Sequence, residues 1–298
     1  MNPVNTKPYQ LPPDATWFIT GCSSGIGRAI TELISNKPGQ RLIATARNIS
    51  SLSYLDDTNA SILKLILDVT SPASVEAAFK AAADHFGNEA FHIDVLVNNA
   101  GYELAGDTEA ATEEEMHAQL ETNFFGTVRV ATRAAKVMRS KDGRGGIIFN
   151  VSSLAGVAAF PGFAFYHASK FAVEGWSESF ARELHPDWNI NVCIVEPGGI
   201  KTNFEHGSKK YTGVHEDYDG EDMPARKLAA WVKKGIASGA GVEASAVADV
   251  LYRVASRNEE VPLWLPLTSS AAQLIKMKLQ ARVDNLEAVK DLTPIDKK

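Results

Sequence analysis

The sequence predicts an α/β fold, a single doubly wound parallel sheet of about seven strands with helices on both faces. Three observations predict it. Short, β-branched apolar runs alternate with helix-length segments along most of the chain, the pattern of βαβ units whose strands are buried on both sides. A glycine-rich turn joins the first such run to the first helical segment. No composition break or internal repeat divides the 298 residues, so one domain is expected over 15–298.

The elements follow in order. Pro3, Pro8, Pro12 and Pro13 mark residues 1–14 as an irregular leader. Strands are expected at Trp17–Thr20, Leu42–Thr45, Ile62–Leu67, Val95–Val97, Ile147–Val151 and Val192–Val195, with helical spacing over stretches such as Ser74–Phe86 and Glu113–Met138. Residues 203–222 are polar and turn-rich and read as a mobile loop, part of a substrate loop over about 203–232. The segment 261–298 opens with VPLWLPL and continues with apolar Leu274, Ile275, Met277, Leu279, Val283, Leu286 and Val289. It reads as a seventh strand and a closing helix.

Composition narrows the function classes. Thirty-six acidic against 30 basic residues leave a net charge of −6, which argues against a nucleic-acid-binding surface. No apolar run reaches the ~18 residues of a membrane span, and the proline-rich start lacks the apolar stretch of a secretory signal. A soluble, cytoplasmic protein is expected. Two cysteines, Cys22 and Cys193, cannot supply a disulfide framework and read as packing residues. No metal site is expected, because the seven histidines form no metal-ligand pattern. Asp217–Gly220 hints at a calcium loop, but its glycine comes at the fourth position rather than the sixth.

The first strand runs into Thr20-Gly21-Cys22-Ser23-Ser24-Gly25-Ile26-Gly27. Glycines at a strand-to-helix turn let the backbone approach a pyrophosphate, and the helix N-terminus offers it free N–H groups. A site for NAD places an acid about 20 residues further on. Counting from Gly27 reaches Ala46-Arg47 instead. An arginine suits a 2′-phosphate, with Ser24 adding a hydroxyl, so NADP(H) is preferred over NAD(H). Gly239–Ala244 also fits a dinucleotide spacing, but a lysine-bearing helical stretch precedes it rather than a strand, and it reads as a helix-to-helix turn.

Further along, Tyr166 and Lys170 stand at i and i+4 of a helical segment. A neighbouring ammonium lowers the pKa of a phenol towards useful proton transfer. Alone, such a pair is more often a surface contact. Ser153 precedes Tyr166 by 13 residues at the end of the fifth strand, and Asn98-Asn99-Ala100-Gly101 follows the fourth. Both fall at the carboxyl ends of strands, where open α/β sheets bind ligands.

With these motifs in order, together with Asp68, Asn123 in ETNFFG, and Pro197-Gly198 with Thr202, the sequence resembles the short-chain dehydrogenase/reductase family from about residue 15 to 205. It is most similar to the hydroxysteroid and retinol dehydrogenase-like group and to fungal and bacterial NADP-dependent oxidoreductases. The resemblance implies a Rossmann-type fold in which Tyr166 is the proton donor or acceptor. Lys170 lowers its pKa, Ser153 orients the substrate oxygen, and Asn123 anchors a water in a proton relay. It also implies a cofactor site in which Gly21, Ser23, Ser24, Gly25, Ile26 and Gly27 hold the pyrophosphate. Arg47, Asp68 and Val69 line the adenosine side, with Asn99, Ala100 and Gly101 by its ribose. Pro197, Gly198, Gly199, Ile200 and Thr202 cover the nicotinamide, whose ribose Tyr166 and Lys170 contact.

The expected activity is NADP(H)-dependent interconversion of a carbonyl and an alcohol on a medium-sized, largely apolar substrate. Steroid, retinoid, polyketide and alkaloid all remain open. The alternatives are a non-catalytic NADPH-binding regulator, or epimerase or dehydratase chemistry on the same scaffold. The pocket would be built from Leu154–Phe165, Tyr102–Leu104 and the loop at 203–232, without a basic cluster for a phosphate. Phe160, Phe163 and Phe165 either line it or pack. A homodimer or homotetramer is the family's usual assembly.

Overall fold

The computed structural model describes residues 3–87, 91–139, 144–202 and 207–292. Chain order begins with β1 (Thr16–Ile19), α1 (Gly25–Ser35), β2 (Arg41–Ala46), β3 (Ile62–Ile66), α2 (Pro72–Phe86), β4 (Val95–Asn98) and β5 (Glu103–Ala105). Next come α3 (Glu113–Leu120), α4 (Gly126–Met138), β6 (Gly146–Val151), α5 (Ala164–Glu183), β7 (Ile190–Glu196), β8 (Ile200–Lys201) and β9 (Lys209–Tyr211). The chain closes through α6 (Pro224–Ala237), β10 (Val242–Glu243), α7 (Ala244–Ser256), β11 (Trp264–Pro266) and α8 (Ser269–Ala288).

Seven strands form one sheet in the order β11-β7-β6-β4-β1-β2-β3, and every adjacent pair is parallel. The order reverses between β1 and β4, the switch point at which doubly wound sheets bind ligands. Alternate side chains of each strand face opposite cores. Trp17, Ile19, Leu42, Val95, Phe149 and Cys193 pack under α1 and α7. Phe18, Ile43, Leu96 and Ile148 pack under α2 and α4. The predicted strands stand where the apolar runs place them, and β1, β2, β4, β6 and β7 are almost wholly buried while the edge strands β3 and β11 are only partly so.

Four features differ from expectation or add to it. The stretch expected as one helix from Glu113 to Met138 is interrupted by a π-helical turn over Glu121–Phe125. Residues 203–206 of the expected mobile loop lie outside the described residues, but Lys209–Tyr211 pairs with β5 as a parallel two-stranded ribbon. The closing helix α8 buries only Ala271 and leaves Met277, Leu279, Val283 and Leu286 exposed. The proline-rich leader is docked by side chains. Asn5 Nδ2 donates to the carbonyls of Val192 (2.8 Å) and Val261 (2.9 Å), and Tyr9 is 2% exposed.

Asp94, fully buried at the start of β4, joins the opposite edge of the sheet. Its carboxylate takes two bonds from Arg144, each 2.9 Å, and a third from the Thr16 N–H at 2.8 Å. The Tyr9 hydroxyl donates to its backbone carbonyl at 3.2 Å.

Candidate active site

Thr20, at the end of β1, is fully buried. Its Oγ1 accepts from the N–H groups of Asn99 (2.9 Å) and Ala100 (3.0 Å). Asn99 Nδ2 in turn donates to the carbonyls of Thr20 and Gly21 at 3.0 and 3.1 Å. This reciprocal clasp fuses the glycine turn to the Asn99–Gly101 turn, and it explains why Gly21 and Gly27 carry no side chain. A Cβ on Gly27 would lie 2.3 Å from the Gly21 carbonyl oxygen, and one on Gly21 would lie 2.9 Å from Ala100 Cα. Gly21 also holds φ +70°, a left-handed conformation that glycine adopts without strain.

Ser24 stands at the N-cap of α1 without a side-chain cap bond, and the first turn carries no acid. The leading N–H groups, Gly25 and Ile26 included, are therefore left for an anion. Ser23 is exposed beside them, and the Thr202 side chain stands over Gly25. Arg47 is exposed just past the end of β2. Asp68 and Val69 lie past β3, the next strand. Asp68 Oδ1 accepts from Thr70 N and Oγ1 at 2.9 and 2.8 Å, and Val69 is buried against Gly126. Pro197 to Ile200 follow β7, with the Pro197 carbonyl accepting from Leu154 N at 3.0 Å and that of Gly199 from Val242 N at 3.0 Å.

At the neighbouring strand ends, the first turn of α5 carries Tyr166, and Ser153 hydrogen-bonds it. Lys170 Nζ donates to the Val151 carbonyl at 2.8 Å and lies 5.8 Å from the centroid of the Tyr166 ring. Asn123 sits inside the π turn, 1% exposed. Its Oδ1 accepts from Tyr102 N at 3.0 Å, while its Nδ2 donates to Tyr102 O (2.9 Å) and Ser169 Oγ (3.1 Å). Ser169 Oγ donates to the Tyr166 carbonyl at 2.7 Å. A Cβ on Gly101 would stand 3.0 Å from Asn123 Oδ1 and 3.9 Å from Lys170 Nζ, so a side chain there would crowd the Asn123 amide. Asn123, Ser153, Tyr166 and Lys170 are thus brought to one place, at the carboxyl edge of β4 and β6. The two groups of residues named from the sequence share the same edge of the sheet.

The electrostatics differ from the simple picture of a lysine beside a tyrosine. Burial pushes the Tyr166 phenol up, Glu103 adds to this, and the Ser153 hydrogen bond opposes it. Lys170 is itself pushed down to about 8 by burial, with Glu174 holding it up in part. His167, next to Tyr166, is a packing residue. Its Nε2 accepts from Phe160 N at 3.0 Å and its Nδ1 lies 2.8 Å from the Ala155 carbonyl, which assigns the proton to Nδ1. Phe160 and Phe163 pack against its ring.

Several residues at the site carry no motif. Glu103 of β5 pairs with Lys209 of β9 at 3.0 Å, both nearly buried, and Lys209 lies 5.2 Å from the Phe163 ring. The cleft beside Tyr166 therefore contains charge where the sequence suggested only apolar side chains. Two strands distant in sequence make that pair, so no local pattern announces it. Asp107 receives a bidentate pair of bonds from Arg226 of α6 at 2.9 and 2.7 Å, tying α6 to the end of β5. Trp231, on that helix, is 72% exposed. Among the described residues no cluster of three histidine, cysteine or acidic side chains could hold a metal ion.

Two further carboxyls are buried nearby. Burial first, then Glu196, raise Glu174 to about 8, while Ser152 and Lys170 oppose, and burial raises Glu196 to about 7. Each binds a proton in the folded protein that the unfolded chain releases near 4.5. The stability this confers is complete below about pH 4.5 and is lost as pH rises through 7 to 8. Above about 8 the depressed lysine reverses the slope, because the unfolded chain then holds the extra proton. Thermal denaturation across this range should show a minimum of stability near pH 8, shallower in Glu174→Gln. A flat profile would contradict these shifts.

The sequence profile of the short chain dehydrogenase family matches residues 15–212. The chain belongs to this family. It is 68% identical over 297 residues to oxidoreductase calM of Penicillium decumbens, covering 99% of this chain and 97% of that one. The structure of a short-chain dehydrogenase from Streptomyces avermitilis superimposes with a TM-score of 0.81 at 29% identity, over 93% of this chain and 98% of that one. Two Burkholderia enzymes share the fold. The B. phymatum short chain dehydrogenase/reductase, in complex with NAD, has a TM-score of 0.73 at 20% identity, over 91% and 96% of the two chains. The B. cenocepacia short chain dehydrogenase, in complex with NADP, has a TM-score of 0.68 at 23% identity, over 95% and 100%. The protein is thus an oxidoreductase of the short-chain dehydrogenase family. Among the described residues, no helix is long and apolar enough to cross a membrane.

Proposed function

We propose that this protein interconverts a carbonyl and a primary or secondary alcohol on a medium-sized, largely apolar substrate, with NADP(H) preferred over NAD(H). The observation that carries the reading is the convergence of Asn123, Ser153, Tyr166 and Lys170 beside a glycine turn closed too tightly for any side chain. That turn and the uncapped first turn of α1 fit a dinucleotide pyrophosphate. Arg47 and Ser24 are assigned to a 2′-phosphate, and Asp68 and Val69 to the adenine. Asn99 to Gly101 are assigned to the ribose, and Pro197 to Ile200 with Thr202 to the nicotinamide side.

When bound, the nicotinamide supplies or accepts the hydride. Tyr166 Oη donates a proton to the oxygen of the carbonyl being reduced, and accepts it from the alcohol in reverse. Ser153 holds that oxygen by its hydroxyl. Lys170, fixed on the Val151 carbonyl, favours the phenolate by its charge. Asn123 braces the Tyr102 backbone and the start of α5 through Ser169, and anchors a water that returns protons to Lys170.

NADPH consumption with a panel of ketones, aldehydes and quinones tests the reading. Turnover that vanishes in Tyr166→Phe supports it. Tight NADPH binding without turnover of any member would favour a cofactor-binding regulator instead. Charged hydrogen bonds contribute about 1.5–3 kcal/mol. Arg47→Asp should therefore lower the preference for NADPH over NADH by about ten- to hundredfold, measured as a ratio of kcat/KM values. An unchanged ratio would remove Arg47 from the 2′-phosphate. We assign the protein to the cytoplasm, as a homodimer or homotetramer, for which the exposed Phe125 and Phe171 offer apolar contact.

A further inference from the structure

One turn beyond Lys170, and two beyond Tyr166, α5 presents Glu174 on the same broad face. Glu174 Oε1 is fully enclosed and has no hydrogen-bond partner, and the same is true of Ser152 Oγ. The two atoms press together on Gly156, where a Cβ would lie 2.5 Å from Ser152 Oγ and 2.9 Å from Glu174 Oε1. The serine thus faces the carboxyl and eases its charge without reaching full hydrogen-bond geometry. From the end of β7 a second carboxyl, Glu196, is 3% exposed. Among the described residues neither carboxyl has a cation within ion-pair distance. The ionisable groups that act on Glu174 are Lys170 and Glu178 of α5 and Glu196 of β7, while Glu174 itself acts on Cys193 of β7.

A carboxyl oxygen enclosed without a partner costs stability, so packing does not account for the placement of Glu174 Oε1. Its neighbour does. Lys170 is also buried, and burial alone drives it towards the neutral amine. A neutral lysine would give no support to a phenolate on Tyr166.

We propose that Glu174 is a positioning residue for the reaction. Once ionised, its carboxylate, eased by Ser152 and opposed by Glu196, keeps Lys170 charged so that the lysine can act on Tyr166. The inference deepens the function proposed above and rests on it for its consequence, though not for its physical content. Glu174 touches no substrate. It acts through Lys170, and the Glu196 carboxyl opposing it across the helix–sheet boundary sets how much charge Glu174 carries.

The direct test needs no turnover. Protein labelled with ε-13C lysine is titrated by NMR, with Lys170→Arg identifying the Lys170 resonance. In Glu174→Gln the Lys170 midpoint should fall by about one unit, a tenfold change in the ratio of charged to neutral lysine. An unchanged midpoint overturns the proposal. Kinetics supply the second arm. Glu174→Gln should lower kcat about tenfold near pH 9 but less than about twofold near pH 7, with KM values within about twofold, and shift the alkaline limb of the pH profile of kcat by about one unit. Glu174→Asp should recover part of both. Thermal stability in Glu174→Gln should hold near neutral pH and rise above about pH 8, because the buried charge that forms there is lost. A fall in kcat that tracks a fall in melting temperature, with the pH profile unmoved, would make Glu174 structural and sink the idea. If the wild-type protein turns over nothing, the function proposed above fails, while the NMR midpoint still decides whether Glu174 governs the charge of Lys170.

Discussion

Turnover in Tyr166→Phe should fall about 10³-fold, within the range that general acid–base catalysis contributes. The substitution removes only the oxygen. The ring keeps its place on the first turn of α5, and the hydroxyl's hydrogen bond with Ser153 is what the substitution gives up. Burial of a phenol that is hard to ionise also means that its loss leaves no unpaired charge behind. Cofactor affinity, measured by calorimetry, and melting temperature should therefore stay near their wild-type values while initial rates collapse. Near-native rates in this variant would refute the acid–base role. A parallel collapse of cofactor binding would instead assign the tyrosine to binding.

The largest loss of stability is expected at the other end of the sheet. Asp94→Ala leaves the Arg144 guanidinium without its bidentate partner and the buried Thr16 N–H without an acceptor. Because Arg144 is 35% exposed and can be resolvated, the cost is chiefly that of the lost charged bonds and the unpaired buried N–H, about 2–4 kcal/mol, and urea denaturation should show a loss of that size at an unchanged slope. Turnover per folded molecule should be preserved, because Asp94 stands at the amino ends of the strands and Tyr166 beyond their carboxyl ends. A loss below about 1 kcal/mol would mean that water replaces the carboxylate cheaply at this edge.

These two ends of the molecule were legible in the sequence to different degrees. The glycine turn and the Ser153, Tyr166 and Lys170 spacing sit within short stretches on single elements, where local chemistry is written locally. The strands were readable because both faces of the central sheet are buried, which leaves runs such as Ile147–Phe149 apolar and fully enclosed. What the sequence hid depends on distance or on register. The π turn at Asn123 adds one residue to a helix without changing its composition. The Glu103–Lys209 pair joins strands 106 residues apart, and its members look like ordinary surface charges. Glu174 reads as a solvated helix residue until β7 and Ser152 are placed against it. The apolar positions of α8 suggested a packed helix, but periodicity states only that a face is apolar, not that anything covers it.

Asn5 bonds to Val192 and to Val261, partners 187 and 256 positions away. The leader therefore has no complete native seat until segments 187 and 256 positions further along have emerged from the ribosome. With β11 at the edge of the sheet beside β7, the edge that receives the leader is itself completed late. Contacts of such separation slow folding, since a long loop must close before they form. Synthesis of this chain thus includes an interval in which the central strands are assembled and the amino terminus still waits, and that interval, rather than the mature enzyme, is when the β7 edge is open to wrong partners.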